Sequence, residues 1–278
     1  MNNLIEDIIE YHRAYGMLIV LALIVFSSCT SLPTNGRVVF INVEHGDATL
    51  IQIPSERGMK NILIDSGYPT AYSLLEKALL YYGVTRIDLA IATHSDEDHI
   101  GNFARLSKKI PITRLIDNGV QYPRPSPIFE EYSSLMKTLP VTILRNDTVL
   151  FFGQTRLEIL APFARYGFSE DNDENSLVLK LVTSNASFLF LGDCTGRCES
   201  ELLSRGITAD VVRTAHHGST EGNSLALLKM IHPREAIISS GEPFFAEHPS
   251  AQTLHVLHEL NIPYRVTHTT GTMEIDFK

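Results

Sequence analysis

Cysteine, basic residues and long apolar runs are all scarce in this chain, and each scarcity removes a class of protein. Only three cysteines occur in 278 residues. The close pair, Cys194 and Cys198, is spaced by four rather than as C-x-x-C, and no other Cys or His pattern supports it, so a structural zinc site is excluded. The pair reads as ordinary core or helix residues, because one helical face would hold both thiols and is poorly placed for a bridge. Lys and Arg number 23 against 32 Asp and Glu, a formal charge of -9. Such a surface repels polyanions and leaves no broad nucleic-acid footprint. Trp is absent, as are internal repeats and any linker long enough to divide the chain; 44% hydrophobic content suffices for one large core or two small ones.

What the chain does have is a concentration of metal-competent side chains at Thr93-His94-Ser95-Asp96-Glu97-Asp98-His99-Ile100-Gly101-Asn102. The stretch follows Ile87 to Ala92, which reads as a buried strand, so the polar residues begin where the strand ends. His94 and Asp96 alternate along extended backbone and point the same way; Asp98 and His99 follow at the start of a helix. Taken singly, each is an ordinary residue of a solvated loop. Together they pair imidazole with carboxylate as Zn, Mn or Fe sites require, and buried carboxylates this close need a cation to offset their repulsion.

The pattern H-x-D-x-D-H-x-G resembles the signature of the metallo-β-lactamase superfamily, with Asp96 in place of the usual second His. That replacement is similar to the ComEC-like branch, the soluble domain of competence DNA-uptake proteins. The rest of the chain resembles it too. A strand over Val38 to Val43, the turn Glu44-His45-Gly46-Asp47, a strand over Ala48 to Ile53 and then Asn61 to Ile64 ending in Asp65-Ser66-Gly67 match that branch's opening. The resemblance implies that Asp65 supports the metal loop by hydrogen bonds; capping the helix Thr70 to Tyr82 is the simpler reading, and one carboxylate serves both. His45 reads as a surface residue or a support of the ligands.

No His occurs between Ile100 and Ala215, where the wider superfamily places a third metal His. ComEC-like members instead have Asn-Ser before a strand, here Asn175-Ser176 before Leu177 to Lys180, so an Asn or Ser oxygen, or a water, would complete a weaker first site. The acidic run Glu170 to Asn175 reads as a turn. Further on, the strand Ser187 to Leu191 ends in Gly192-Asp193, which resembles the superfamily's bridging aspartate; one carboxylate can hold two cations roughly 3.5–4 Å apart. The strand Asp210 to Ala215 leads into His216-His217-Gly218-Ser219, similar to the branch's HHGS. His216, first off the strand, is taken as the ligand and His217 as a support or substrate contact, with the reverse order open. His248, before Pro249, is a candidate substrate contact. The remaining elements are helices over Ile128 to Lys137, Cys198 to Ser204 and Leu225 to Ile231, a strand over Ala236 to Ser239, a helix through Leu260, and a terminal hairpin of Tyr264 to Val266 with Gly271 to Phe277.

The resemblance implies an α/β fold, a four-layer αββα sandwich, and metal-dependent hydrolysis. The expected ligands are His94, Asp96, Asp98, His99, Asp193 and His216, holding one or two Zn ions, with Mn also acceptable to so many carboxylates; Asp98 and Asp193 are the catalytic candidates. The substrate expected is a phosphodiester, small or single-stranded given the acidic charge, with nucleic acid still possible. A lactamase fits less well, since Asp96 and the missing His depart from that pattern. The rival reading is a non-catalytic accessory protein with a degenerate site.

Residues 1–36 read as a leader and spacer before a domain at 37–278. The apolar run Met17 to Phe26 is shorter than the ~20 residues of a spanning helix and resembles a signal peptide's apolar region. Ser27-Ser28-Cys29 resembles a lipoprotein signal, although Phe26 replaces the usual Leu and Glu6, Asp7 and Glu10 outnumber Arg13; Met17 is an alternative start. Cleaved or retained as an anchor, the segment implies export and membrane tethering. The absence of Asp after Cys29 points to the outer membrane.

Overall fold

The central strand-forming stretches, such as Val38 to Ile41 and Leu89 to Ala92, are apolar at consecutive positions, as strands covered on both faces are. The computed structural model describes residues 35–122, 126–144, 147–160, 169–242 and 248–278. Residues 1–34, with Cys29 and the apolar run Met17 to Phe26, therefore lie outside the described residues. Among those described, no helix is long and apolar enough to cross a membrane.

Six strands open the chain: β1 (Gly36–Phe40), β2 (Thr49–Ser55), β3 (Gly58–Ile64), β4 (Leu89–Ile91), β5 (Leu115–Asp117) and β6 (Val141–Ile143). Seven more follow as β7 (Thr148–Phe152), β8 (Thr155–Leu160), β9 (Val178–Val182), β10 (Ser187–Phe190), β11 (Val211–Arg213), β12 (Glu235–Ile238) and β13 (Tyr264–Val266), before β14 (Met273–Phe277). They form two sheets of seven, ordered β14-β1-β2-β3-β4-β5-β6 and β13-β12-β11-β10-β9-β8-β7. Both are mixed: β1 to β3 and β7 to β10 pair antiparallel, whereas β3 to β6 and β10 to β13 pair parallel.

The side-chain period of two assigns each strand residue to a layer. Val38, Phe40, Ile62 and Ile91 of the first sheet meet Leu157, Leu179, Phe188, Phe190 and Ile237 of the second in one buried cluster, the core between the sheets. Their neighbours Val39, Leu63 and Ala90 face outward under Leu75 and Leu79 of helix α1 (Tyr72–Tyr81), Ile100 of α2 (Glu97–Ile100), Phe103 of α3 (Phe103–Leu106) and Tyr132 of α4 (Pro127–Met136). On the other side Leu189, Val212 and Ile238 lie under Leu202 of α5 (Gly196–Arg205), Leu227 of α6 (Leu225–Ile231) and Leu257 of α7 (Ala251–Glu259). This is the expected helix-sheet-sheet-helix sandwich. Phe188 is fully buried in its middle, and cutting it to alanine would cost about 3–5 kcal/mol.

Two readings of the sequence are corrected. The last two strands are not a hairpin: β13 pairs β12 in one sheet, and β14 pairs β1 in the other, with a short helix α8 (Thr267–Thr270) between them. Strands β6 and β7 form the far edges of the two sheets, with β8 beside β7. Cys194 and Cys198 are bridged, with Cα atoms 5.2 Å apart. Cys194 lies in the turn ahead of α5 and only Cys198 is helical, so the helical spacing assumed for the pair does not apply.

Candidate metal centre

The site collects where parallel strands end, because that is where backbone leaves the ladder and side chains can converge from both sheets. Asp65 follows β3, Thr93 to His99 follow β4, Asp193 follows β10 and His217 follows β11. The turn between β1 and β2 closes the floor. Gly46 there has φ 106°, and a Cβ on it would strike the backbone carbonyl of Asp98, so glycine lets this turn lie against the metal loop. Asp47 N donates to Asp98 O at 3.1 Å across the same contact.

One oxygen sits at the centre. Asp193 Oδ2 lies 3.2 Å from His99 Nε2, 3.6 Å from His217 Nε2 and 3.9 Å from His94 Nε2. Around it are two groups: Asp98, His99 and His217 on one side, His94, Asp96 and Asp173 on the other, the liganding atoms of each lying within 4.8 Å of one another. Asp98 Oδ2 is 3.0 Å from His217 Nε2, and His94 Nε2 is 3.9 Å from Asp96 Oδ1 and 3.8 Å from Asp173 Oδ1.

The imidazoles are fixed from behind. Asp65 Oδ2 takes His99 Nδ1 at 2.9 Å, and the same carboxylate accepts from Thr93 N and Thr93 Oγ1, each at 2.8 Å. His217 Nδ1 is 3.0 Å from the Ser239 carbonyl and His94 Nδ1 is 3.1 Å from Thr93 Oγ1. Each contact turns Nε2 toward the centre. Ser176 Oγ accepts from Asp193 N at 3.1 Å and so holds the central carboxylate's loop. Below, buried Arg213 donates from Nη1 to the Gly192 carbonyl at 2.7 Å and pairs through Nη2 with Asp47 Oδ2.

The donor set fits a cation. His94 Nε2, His99 Nε2 and Asp193 Oδ1 are buried with no hydrogen-bond partner, an expensive arrangement unless something electropositive sits among them. The electrostatics agree. Burial disfavours a charged His99, yet the carboxylates of Asp193, Asp65 and Asp98 hold its proton well above the usual imidazole range. Burial and the charges of Asp193 and Asp96 push Asp173 up to about 8. The cluster therefore demands positive charge, which a divalent ion supplies with fewer protons bound.

The expected residues are mostly brought together, with one exchange. His217, not His216, faces Asp98 and Asp193; His216 turns its Nδ1 to Asp173 Oδ2 at 3.5 Å. Both histidines have left-handed backbone, φ 44° and 53°, so the chain reverses after Ala215 and the second imidazole enters the site. Asn175 is not at the centre: its amide braces Ser169 and Asp171. The His248 ring lies 5.4 Å from the His216 ring, tilted against it, and burial with the neighbouring His216 and His217 pushes its pKa down to about 4. His45, half-exposed, reaches Asp98 Oδ2 at 3.5 Å. Asp173 was missed, since its run reads as a turn and only the folding of β9 beside the β4 loop brings it to His94.

This fold and this cluster define the class. Residues 41–242 match the metallo-beta-lactamase superfamily, and the chain belongs to it. Its curated relatives are competence proteins of the ComEC family. It is 28% identical over 267 residues to ComE operon protein 3 of Bacillus subtilis (strain 168), covering 89% of this chain and 34% of that protein. It is 26% identical to Recombination protein 2 of Haemophilus influenzae (95% and 32% covered) and to Competence protein ComA of Neisseria gonorrhoeae (77% and 29%). The chain thus spans about a third of the length of these relatives. Among solved structures, the fold resembles YhfI from Bacillus subtilis (TM-score 0.56, 14% identity, 87% of this chain and 99% of that one). Igni18, a metallo hydrolase from Ignicoccus hospitalis, is equally similar (TM-score 0.56, 14%, 87% and 100%).

Proposed function

We propose that this protein is a metal-dependent phosphodiester hydrolase. The observation behind the reading is the single oxygen Asp193 Oδ2 faced by three imidazole Nε2 atoms at 3.2–3.9 Å, the arrangement a carboxylate shared between two cations needs. His94, Asp96 and Asp193 would hold one ion; Asp98, His99, His217 and Asp193 would hold the other. When bound, such a divalent ion, Zn or Mn, lowers the pKa of water toward ~7 and offsets negative charge on an attacked phosphoryl group.

The chain's own residues orient and screen the reaction. Asp98, beside His217 and His45, would orient an attacking water as well as serve as a ligand. Asp65 keeps His99 in the tautomer whose Nε2 faces Asp193. His248, neutral at pH 7, offers a hydrogen bond to a substrate oxygen at the mouth without adding charge. The relatives named for competence and recombination support a DNA-derived substrate, and the net charge of -9 supports a short or single-stranded one.

The test is turnover of bis-p-nitrophenyl phosphate, and then of short oligonucleotides, by the full-length protein with added Mn or Zn. Hydrolysis that requires a divalent ion and is lost in Asp193→Ala supports the reading. A protein that holds less than one equivalent of metal after reconstitution and turns over none of these substrates is instead the accessory protein with a degenerate site that the missing third His suggested.

A further inference from the structure

The two halves of the cluster differ in donor chemistry. On the Asp98 side two imidazoles, His99 and His217, accompany one carboxylate. On the other side a single imidazole, His94, is grouped with carboxylates from two separate loops, Asp96 and Asp173. His94 is fully buried and its Nε2 has no hydrogen-bond partner. It is 3.8 Å from Asp173 Oδ1 and 3.9 Å from both Asp96 Oδ1 and Asp193 Oδ2, whereas a buried imidazole nitrogen ordinarily finds a donor or acceptor within bonding distance.

Asp173 is placed there by its surroundings. It begins a short turn, Asp173–Asn175. Asn175 locks that turn by accepting from Ser169 N at 2.9 Å and donating to the Ser169 and Asp171 carbonyls at 3.0 and 2.8 Å. The preceding residue, Asn172, donates its side-chain amide to Asp96 Oδ1, so the same turn holds both carboxylates. His216 closes the far side, its Nδ1 3.5 Å from Asp173 Oδ2. A carboxylate thus stands beside His94 at the coordination position that the sequence left open, with His216 next to it.

We propose that Asp173 is the third terminal ligand of the first cation position, and that this makes the two positions chemically unequal. The first would offer three carboxylates, Asp96, Asp173 and Asp193, and a single nitrogen. Oxygen-rich sets of this kind suit harder ions such as Mn, whereas the second position, with two imidazoles, suits Zn. The inference rests on the reading of the cluster as a metal centre and adds the selectivity of one of its positions.

The test is a metal titration of the metal-free full-length protein, with Mn followed by electron paramagnetic resonance and Zn by calorimetry. The wild type should bind one Mn at the first position while Zn occupies the second. Asp173→Ala should weaken Mn at least tenfold and leave Zn at the second position unchanged, which also shows that the variant is folded. Asp173→His should shift the first position from Mn toward Zn by at least tenfold. Mn affinity within twofold of wild type in Asp173→Ala, no shift in Asp173→His, or a wild type that binds no Mn would each overturn the proposal. Hydrolysis is read separately: titrations as expected without turnover would overturn the hydrolase reading alone, and turnover with unselective titrations would overturn this one alone.

Discussion

Asp65 and His99 are joined by a 2.9 Å contact between carboxylate and Nδ1, both side chains fully buried. Asp65 has φ 56°, a conformation that Asn tolerates better than other residues with a Cβ, so Asp65→Asn is the least disruptive way to remove the charge. Metal affinity at the Asp98 and His99 position should fall by about tenfold to a hundredfold, measured by competition with a chelator. Unchanged affinity would show that the carboxylate only pins Thr93.

Arg213 and Asp47 form a buried pair beneath Asp193, linking the β1–β2 turn of one sheet to β11 of the other. Removing one partner strands the other's charge in the core, so Asp47→Ala and Arg213→Met should each cost about 3–5 kcal/mol in chemical denaturation. The double variant should recover most of that loss. Additive losses would contradict the pairing.

The sequence made part of this site legible. His94, Asp96, Asp98 and His99 share one loop, so period-two spacing and a strand end already imply their convergence. Asp193 was legible because the strand ending in Gly192-Asp193 resembles the superfamily's bridging-aspartate motif; taken alone it reads as a helix cap. The choice between His216 and His217 was not, because it depends on two successive left-handed residues that no pattern of residue types encodes. Asp173 was hidden in another way: its partner His94 lies in a loop of the opposite sheet, and long-range pairing leaves no local periodicity. The sandwich was legible through the family resemblance of the motifs, but the split of β13 and β14 between sheets was not, since both read as short strands at hairpin spacing.

Asp88 supplies a pH dependence away from the metal. Burial would raise its pKa, but the backbone N–H of Asn61 at 3.0 Å, Lys60 Nζ at 3.0 Å and the nearby Arg86 more than offset that and hold it below the usual carboxylate range. A depressed folded-state pKa means stability present above the ordinary carboxylate value, near ~4, and lost as pH falls through the lower folded value. Asp88→Asn should therefore be less stable than wild type at pH 7, with the gap narrowing below pH ~4. Parallel stability profiles from pH 7 to 3 would refute this.

Cys29 lies outside the described residues, and its lipid attachment is proposed from the apolar run Met17 to Phe26 and Ser27-Ser28 alone. Mass spectrometry of the membrane fraction should find a mature chain beginning at a modified Cys29, and Cys29→Ser should release the protein or leave it unprocessed. An unmodified full-length chain in the cytosolic fraction would defeat the proposal.

The central claim is that Asp193 is shared by two cations. Anomalous diffraction from crystals of the metal-loaded full-length protein, collected at the Zn and Mn edges, tests it most directly. The account predicts two peaks about 3.5–4 Å apart, one beside His94, Asp96 and Asp173 and one beside Asp98, His99 and His217, both within ligand distance of Asp193. A single peak, or two peaks of which only one touches Asp193, would contradict it.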